Sequence, residues 1–506
     1  MADILLTTLN ARYAHTAIGL RYLLANLHEL QAQSDIMEFT INDQVQDIAE
    51  QLLARKPRII GLGVYIWNVV ETAALIETLK KVSPETMLIL GGPEVSYAPM
   101  RVNMDAADVI IQGEGELAFY EVCQTLLQGN MPNERIITAA SVPLDDVVLP
   151  YRFYTDEDVK HRYMYVEASR GCPFSCEFCL SSMDNRVRNL FIDKLLEAFE
   201  VLWQRGARSF KFIDRTFNLN PRISNQILDF FLAKDAPYFA HFEVIPDHFP
   251  VSIKERIGQF PPASLQLEIG IQTLNPEVAA RVHRKLNLEK IKENIAYLSQ
   301  ETQAHMHLDL IVGLPGEDLE SFGKGLNQLC DLTDAEIQIG ILKNLSGTSL
   351  SRHNELWGMV YSDVPPYDIL KNSVLSFDDI QAMKRFARFW NLYRNSGNFK
   401  TSLAYLYPDG DVFEGFFDFS VWVYAQTQST WKIALERLAK LLFDYLTQEK
   451  NMDEKAVAQA LSDDLMKLEG RVLPNFLKPL VAYVPKVKQK HKVVGHSKRQ
   501  QRHVIT

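Results

Sequence analysis

Cysteine is scarce in this chain: 506 residues hold five. With so few thiols a disulfide framework is not expected, which points to a reducing compartment. Long hydrophobic runs are also missing. The longest, Ile59 to Val70, is interrupted by Asn68 and is too short to cross a bilayer, so no membrane partner is expected. The opening Met1-Ala2-Asp3-Ile4-Leu5-Leu6 has no basic segment ahead of its apolar residues, so a signal peptide is not expected and the protein reads as cytoplasmic. Positive charge is in the minority, 53 Lys and Arg against 63 Asp and Glu, a net charge of -10 that argues against nucleic-acid affinity over the whole surface. The exception is the last segment, 486–506, with seven Lys or Arg and no acid. That basic tail either stays solvated and disordered, the plainer reading, or docks on nucleic acid or anionic lipid.

The chain is well supplied with apolar residues, 47% of the total, enough for sizeable cores, and its length suggests about three domains. Three of the five cysteines crowd into Ser169-Arg170-Gly171-Cys172-Pro173-Phe174-Ser175-Cys176-Glu177-Phe178-Cys179. A cubane iron-sulfur cluster normally takes four thiolates, so Cys172, Cys176 and Cys179 in a C-x3-C-x2-C loop would anchor a [4Fe-4S] cluster and leave one iron open. A structural zinc site is the alternative. It wants a closed tetrahedral shell and would have to recruit a residue such as His161 at awkward spacing. Cys123 and Cys330 sit in apolar helical patterns and read as buried thiols.

Short apolar runs alternate with amphipathic stretches over the first part: Ile4 to Leu9, Ile18 to Leu30, Ile59 to Tyr65, Val70 to Lys81, Met87 to Leu90 and Val109 to Ile111. This is the pattern of a doubly wound, Rossmann-like parallel sheet, whose ligands lie at the carboxyl ends of the strands. The second part alternates again: strands at Tyr163 to Ala168, Ser209 to Ile213, Phe242 to Ile245, Leu265 to Ile271, His307 to Val312 and Glu336 to Leu342, with helices between them. Six such strands make a partial (β/α)6 TIM-like barrel with its functional residues at the carboxyl rim. Beyond Ser362, helices are expected near Asp378 to Tyr393, Thr430 to Gln448 and Asp453 to Leu468, a mainly helical C-terminal domain. The aromatic segment Tyr405 to Tyr424 either packs on the barrel, the plainer reading, or covers its mouth. The expected division is 1–130, a linker over 131–165, 166–361, 362–485 and the tail 486–506.

At the cysteine loop the chain resembles the radical S-adenosylmethionine (SAM) superfamily, and Phe178 just before the third cysteine fits that resemblance. The resemblance implies that the open iron chelates SAM and that reduction yields a 5'-deoxyadenosyl radical, with a low-potential donor such as flavodoxin or ferredoxin as partner. It also implies SAM contacts at Asp214 after the second strand, at Glu268 and Gln272 in Leu267-Glu268-Ile269-Gly270-Ile271-Gln272, and at Gly313 and Pro315 in Val312-Gly313-Leu314-Pro315-Gly316. Arg170 and Arg284 are lower-ranked candidates for the SAM carboxylate, and Lys343 follows the sixth strand with no role assigned.

The first part resembles the cobalamin-binding domain that precedes the radical module in many family members. The resemblance places Asn10, Tyr65, Asn68, Gly91, Gly92 and Glu94 near a corrin, while Trp67 reads as core. Domains that ligate cobalt through histidine carry D-x-H-x-x-G after the first strand. Here the loop is Asn10-Ala11-Arg12-Tyr13-Ala14-His15-Thr16-Ala17-Ile18-Gly19, without the aspartate and one residue longer, so His15 is not expected to ligate cobalt. A degenerate domain that binds nothing is the alternative. The C-terminal part resembles a domain of undetermined function found with certain cobalamin-type radical enzymes. The expected activity is cobalamin-dependent methylation of an unactivated carbon, with substrate and catalytic residues unknown. The alternatives are a radical oxidation, rearrangement or epimerisation, and, from another class, a zinc-stabilised adaptor for nucleic acid.

Overall fold

A computed structural model describes residues 2–468 and 471–481, and the basic tail lies outside them. The chain divides into two compact units: Met1–Arg215 with Lys343–Ser351 and Tyr361–Asp368, and Thr216–Leu342 with Arg352–Val360 and the chain from Ile369 onward.

The first unit is built on a six-stranded parallel sheet: β1 (Ile4–Asn10), β2 (Ser34–Thr40), β3 (Ile59–Gly63), β4 (Met87–Gly91), β5 (Val109–Gln112) and β6 (Ile136–Thr138), in the order β2-β1-β3-β4-β5-β6. Successive side chains leave a strand on opposite faces, so each strand feeds two cores. Leu5, Ile60, Leu88 and Ile110 pack on one face with α2 (Val45–Leu53) and α3 (Val69–Val82). Ile4, Ile59, Ile89 and Val109 pack on the other with α1 (Ile18–Ala25) and α4 (Glu116–Leu127). Burial on both faces explains why β1, β3, β4 and β5 are near-continuous apolar runs. β2 escaped the sequence pattern because it is an edge strand, Ser-Asp-Ile-Met-Glu-Phe-Thr, with only Phe39 buried.

The stretch 131–165, expected as a linker, is folded. It supplies β6 and α5 (Asp156–His161), and α5 is bound to the sheet domain by a buried ionic network. Arg21 reaches Asp158 at 2.7 Å and Glu38 at 3.1 Å, and Arg162 reaches Asp158 at 2.8 Å and Glu38 at 2.5 Å. Two cations and two anions neutralise one another, the condition under which charge tolerates burial. The unit continues with β7 (Met164–Val166), the short antiparallel pair β8 (Ser169–Arg170) and β9 (Arg188–Asn189), α6 (Ile192–Gln204), and β10 (Ser209–Phe212), which pairs in parallel with β7.

The second unit holds α7 (Pro221–Leu232), β11 (Phe239–Val244), α8 (Val251–Ile257), β12 (Leu265–Gln272), α9 (Pro276–Arg281), α10 (Leu288–Glu301), β13 (His305–Val312), α11 (Leu319–Leu332), β14 (Glu336–Ile341) and α12 (Asn354–Trp357). The strands β11, β12, β13 and β14 pair in parallel in that order. Two of the six barrel-like strands thus belong to the first unit and four to the second. Helices α13 (Phe377–Tyr393), α14 (Lys400–Leu403), α15 (Val412–Thr427), α16 (Leu435–Asp444) and α17 (Glu454–Leu465) complete the second unit.

The aromatic segment expected at Tyr405 to Tyr424 becomes α15, whose Phe416 meets Phe386 edge-on at 5.2 Å and Trp390 at 5.0 Å. Gly323 on α11 lets α15 approach, since a Cβ there would lie 2.5 Å from the Phe413 ring. The helix expected from Thr430 starts later, at Leu435, because Lys432 has φ of 58° and interrupts it. Trp390 is fully buried at the centre of this cluster. Replacing it with Ala should destabilise the second unit by about 3–5 kcal/mol, read as a lowered denaturation midpoint for that unit.

Candidate functional site

The carboxyl ends of β1, β3, β4 and β5 open on a cavity of about 700 Å3. In a sheet of order 2-1-3-4-5 the connections leave β1 and β3 in opposite directions, and the crevice there is where such folds bind ligands. Its walls include Asn10, His15, Gly63, Tyr65, Gly91, Gly92, Gly113 and Glu116, and also Tyr165, Glu167, Arg170 and Arg215 from the chain around β7, β8 and β10. Gly92 has φ of 109°, and a Cβ on it would lie 2.5 Å from the Val64 carbonyl, so only glycine fits the floor of this crevice.

The side chains expected around this crevice divide into two groups. Asn10, Tyr65, Gly91 and Gly92 line it. Asn68 does not. It is fully buried, its Oδ1 accepts from the Tyr65 amide at 2.8 Å, and its Nδ2 donates to Thr8 Oγ1, the Leu9 carbonyl and the Gly63 carbonyl at 3.0–3.1 Å, so it clamps the loop after β3. Glu94 accepts from the Tyr367 hydroxyl instead of lining the cavity. Trp67, expected as core, is 44% exposed. Its ring lies flat on Tyr65 at 4.5 Å and its Nε1 donates to the Leu9 carbonyl, which keeps it at the cavity wall. His15 lines the cavity with Nδ1 2.7 Å from the Tyr165 hydroxyl; burial, then Lys211, Arg12 and Arg162, lower its pKa.

Arg170 stands two residues before Cys172. It was a candidate for the SAM carboxylate, but its guanidinium is engaged by this chain's own acids: Glu116 at 2.7 Å, Glu167 at 2.9 Å and Glu114 at 3.6 Å. Burial works against its charge, and Glu167 and Glu116 outweigh that, raising its pKa. Arg188 also holds Glu114, and it reaches Asp184 at 3.0 Å. Nothing in the sequence pairs Glu114 and Glu116 with residues 170 and 188, so this role is visible only in the fold.

The cysteine loop hangs from β8. Gly171 has φ of 87°, and a Cβ there would lie 2.1 Å from the Arg186 carbonyl, so the residue before the first cysteine must be glycine. The Cys172 amide donates to the Asp184 carbonyl and the Cys179 amide to the Cys176 carbonyl. Cys172 and Cys176 are buried, while Cys179 and Phe178 are partly exposed. His161, the residue a zinc site would need to recruit, lies exposed on α5 beside Glu157 at 3.8 Å. Asp214 is 3% exposed and accepts from the Ala168 amide at 2.9 Å and the Ser169 hydroxyl at 2.6 Å, bracing the strand that leads into the loop. Burial, against these hydrogen bonds, pushes its pKa up to about 7.

In the second unit, Glu268 on β12 lies 2.7 Å from His241 Nε2. Gln272 ends the strand after a bulge and takes φ of 73°, a left-handed conformation rare outside glycine and typical of strained functional positions. Gly313, φ 95°, turns the chain after β13, and the Pro315 carbonyl accepts from Arg281. Asp309, on the same strand, is pushed up to about 8 by burial and by Glu268 and Glu243. Arg284 donates to the Gly270 carbonyl. In the first unit, Lys343 pairs with Asp368 at 3.3 Å.

A doubly wound sheet with an open crevice at its carboxyl edge, followed by six barrel-like strands that carry a three-cysteine loop, defines a cobalamin-type radical SAM architecture. Family models agree in the same order: a B12 binding domain over residues 4–123, the radical SAM superfamily over 166–329, and a protein of unknown function, DUF4080, over 355–506. The chain thus carries a B12 binding domain, a radical SAM domain and DUF4080 in that order, and the cofactors that go with the first two are cobalamin and a [4Fe-4S] cluster with SAM.

It is similar to the cobalamin-dependent radical SAM methyltransferase TokK of Streptomyces tokunonensis, 24% identical over 345 residues that cover 59% of this chain and 49% of TokK. Its fold is that of OxsB, a cobalamin-dependent S-adenosylmethionine radical enzyme (TM-score 0.61, 13% identity, 91% of this chain and 78% of OxsB). It is also that of the radical SAM methyltransferase TsrM from Kitasatospora setae (TM-score 0.57, 15% identity, 71% and 77%). The chain spans about half the length of the curated relatives it matches. Among the described residues no helix is long and apolar enough to cross a membrane.

Two outcomes follow from these contacts. Arg170→Ala would leave Glu116 and Glu167 without their cation, while Glu114 keeps Arg188, and should lower the stability of the first unit by about 3–5 kcal/mol, measured by chemical denaturation. Asp214 has a folded pKa above its unfolded value, so its contribution to stability is complete below pH ~4 and is lost as pH rises through about 7. Asp214→Asn should therefore flatten the fall in melting temperature between pH 5 and 8; an unchanged slope would show that Asp214 is ionised throughout.

Proposed function

We propose that the protein is a cobalamin-dependent radical SAM methyltransferase acting on an unactivated carbon of a substrate yet to be identified. The observation that carries this reading is the cavity itself. Its glycine-floored side is the carboxyl edge of the sheet, and its opposite wall includes Arg170, two residues from the first cysteine of the loop. The residues fit the groups they would hold. Gly92 lines the floor in a conformation where a Cβ would strike the Val64 carbonyl, so any other residue would shift that floor, and three thiols lie on a loop whose backbone is fixed by Gly171. When bound, the cluster with SAM supplies a hydrogen-abstracting radical, and cobalamin supplies the methyl group.

The chain's own residues bind, orient and exclude water. Cys172, Cys176 and Cys179 would hold the cluster as thiolates, with Phe178 beside them. Asp214 would act through the Ala168 amide and Ser169 that it braces. Glu268, Gln272, Gly313 and Pro315 would surround SAM. Asn10, Tyr65, Gly91 and Gly92 would contact the corrin, with Asn68 and Glu94 fixing the loops that present them. His15, already bonded to Tyr165, is not assigned to cobalt. One-electron reduction calls for a low-potential donor such as flavodoxin or ferredoxin.

The test is anaerobic reconstitution with iron, sulfide and hydroxocobalamin. The wild-type chain should turn brown, cleave SAM to 5'-deoxyadenosine and retain about one corrin. Cys176→Ala should lose iron and SAM cleavage while the first unit still binds corrin. Gly92→Ala should weaken corrin binding at least tenfold and leave iron unchanged. A colourless zinc protein would overturn the radical reading. Corrin-free protein, or a product without an added carbon, would remove methylation and leave an oxidation, rearrangement or epimerisation.

A further inference from the structure

Three metal-ligating side chains converge far from the cysteine loop in sequence, inside the second unit. His305 and His307 are the first and third residues of β13, and Glu336 is the first residue of β14, in register with His307. The alternation of β13 puts Met306, Leu308 and Leu310 in the core and turns both histidines to the other face. His305 Nε2 is 3.0 Å from His307 Nε2 and 3.2 Å from Glu336 Oε1, and His307 Nε2 is 3.5 Å from Glu336 Oε2. The Glu336 side chain is 2% exposed, and those of His305 and His307 are 11% and 20% exposed.

Protons alone account poorly for this triangle. If each imidazole donated from Nε2 to the carboxylate, two N–H groups would face each other across 3.0 Å. If one nitrogen were bare, only one histidine could hold Glu336. A cation at the centre satisfies all three edges at once. Ligand bonds of about 2.0–2.1 Å in a tetrahedron place neighbouring ligand atoms about 3.3 Å apart, which matches the separations found here. Gln266 on β12 lies 3.2 Å from His307 Nδ1. With Nε2 given to a metal, Nδ1 carries the proton, and the amide turned to present Oε1 accepts it, the usual outer support of a ligating histidine.

We propose that His305, His307 and Glu336 form a divalent transition-metal site, occupied by zinc, that is separate from the cluster. Two imidazoles and one carboxylate exclude calcium and magnesium, which take oxygen shells, and the order of divalent affinities favours zinc over ferrous iron. The site lies at the amino ends of β13 and β14, while Gly313 follows the carboxyl end of β13, roughly 20 Å along the strand. The amino-terminal face of such barrels carries stability, so the metal, with solvent in the fourth tetrahedral position beside the partly exposed histidines, would tie two strand ends together.

Metal analysis of the full-length protein with its cluster reconstituted, after exposure to zinc and removal of loose metal with a weak chelator, tests this. About one zinc per chain is expected alongside the cluster iron. His307→Ala and Glu336→Gln should each lower zinc at least tenfold and leave iron unchanged, so loss of the radical reading and loss of this site are read from different metals. Zinc should raise the melting temperature of the wild-type chain and not that of Glu336→Gln, whose folding circular dichroism checks. Cobalt in place of zinc should give visible bands without a thiolate charge-transfer band. Wild-type protein without zinc, variants that both retain it, or a thiolate band would overturn the site.

Discussion

The guanidinium of Arg170 is the contact on which the candidate site depends. It sits on the two-residue strand that launches the cysteine loop, yet its partner Glu114 belongs to the loop after β5 of the Rossmann-like sheet and Glu116 opens α4. Glu167, just ahead of it in the chain, completes the shell. Buried charge tolerates no vacancy, because a carboxylate out of water without its cation is far costlier than one in solvent. The sheet edge and the cysteine loop are therefore fixed to each other within one unit, and the crevice between them takes its shape from that pairing. Arg188 repeats the device on the far side of the cysteine loop, joining Glu114 to Asp184.

Backbone conformation does the rest of the shaping. Gly92 and Gly171 occupy left-handed conformations where a side chain would strike a carbonyl, one on the crevice floor and the other beside the first cysteine. Gln272 adopts a left-handed conformation without being glycine, and its side chain is what the strained position retains. Acids with raised pKa values mark the same regions: Asp214 beside the cysteine loop, Asp309 on β13 and Glu317 beyond it, each driven up first by burial. Such groups cluster where a fold gives up stability for chemistry.

Much of this was legible in the residues, and the misses share a cause. The cysteine triplet, the strand ends and the order of elements are local patterns, written in spacing and periodicity. Trp67 and Asn68 were assigned the wrong way round, tryptophan to the core and asparagine to the crevice, because residue type alone does not say which side of a loop turns inward. Asn68 is buried because four backbone and hydroxyl partners surround it, and Trp67 is exposed because Tyr65 already fills the space beneath its ring. The supposed linker is folded for the same reason: Asp158 and Arg162 find Arg21 and Glu38 more than a hundred residues away.

The sequence by itself determined the kind of chemistry, since three thiols on one short loop and glycines at strand ends are set by covalent spacing, and it determined the layered architecture, since hydrophobic periodicity dictates which faces must be buried. Only the tertiary structure decided which charges meet. Arg170 with Glu116, and His305 and His307 with Glu336, are pairings across strands and loops, and no rule of local propensity encodes them. They arise because folding removes these groups from water and leaves each with one another as the available partner.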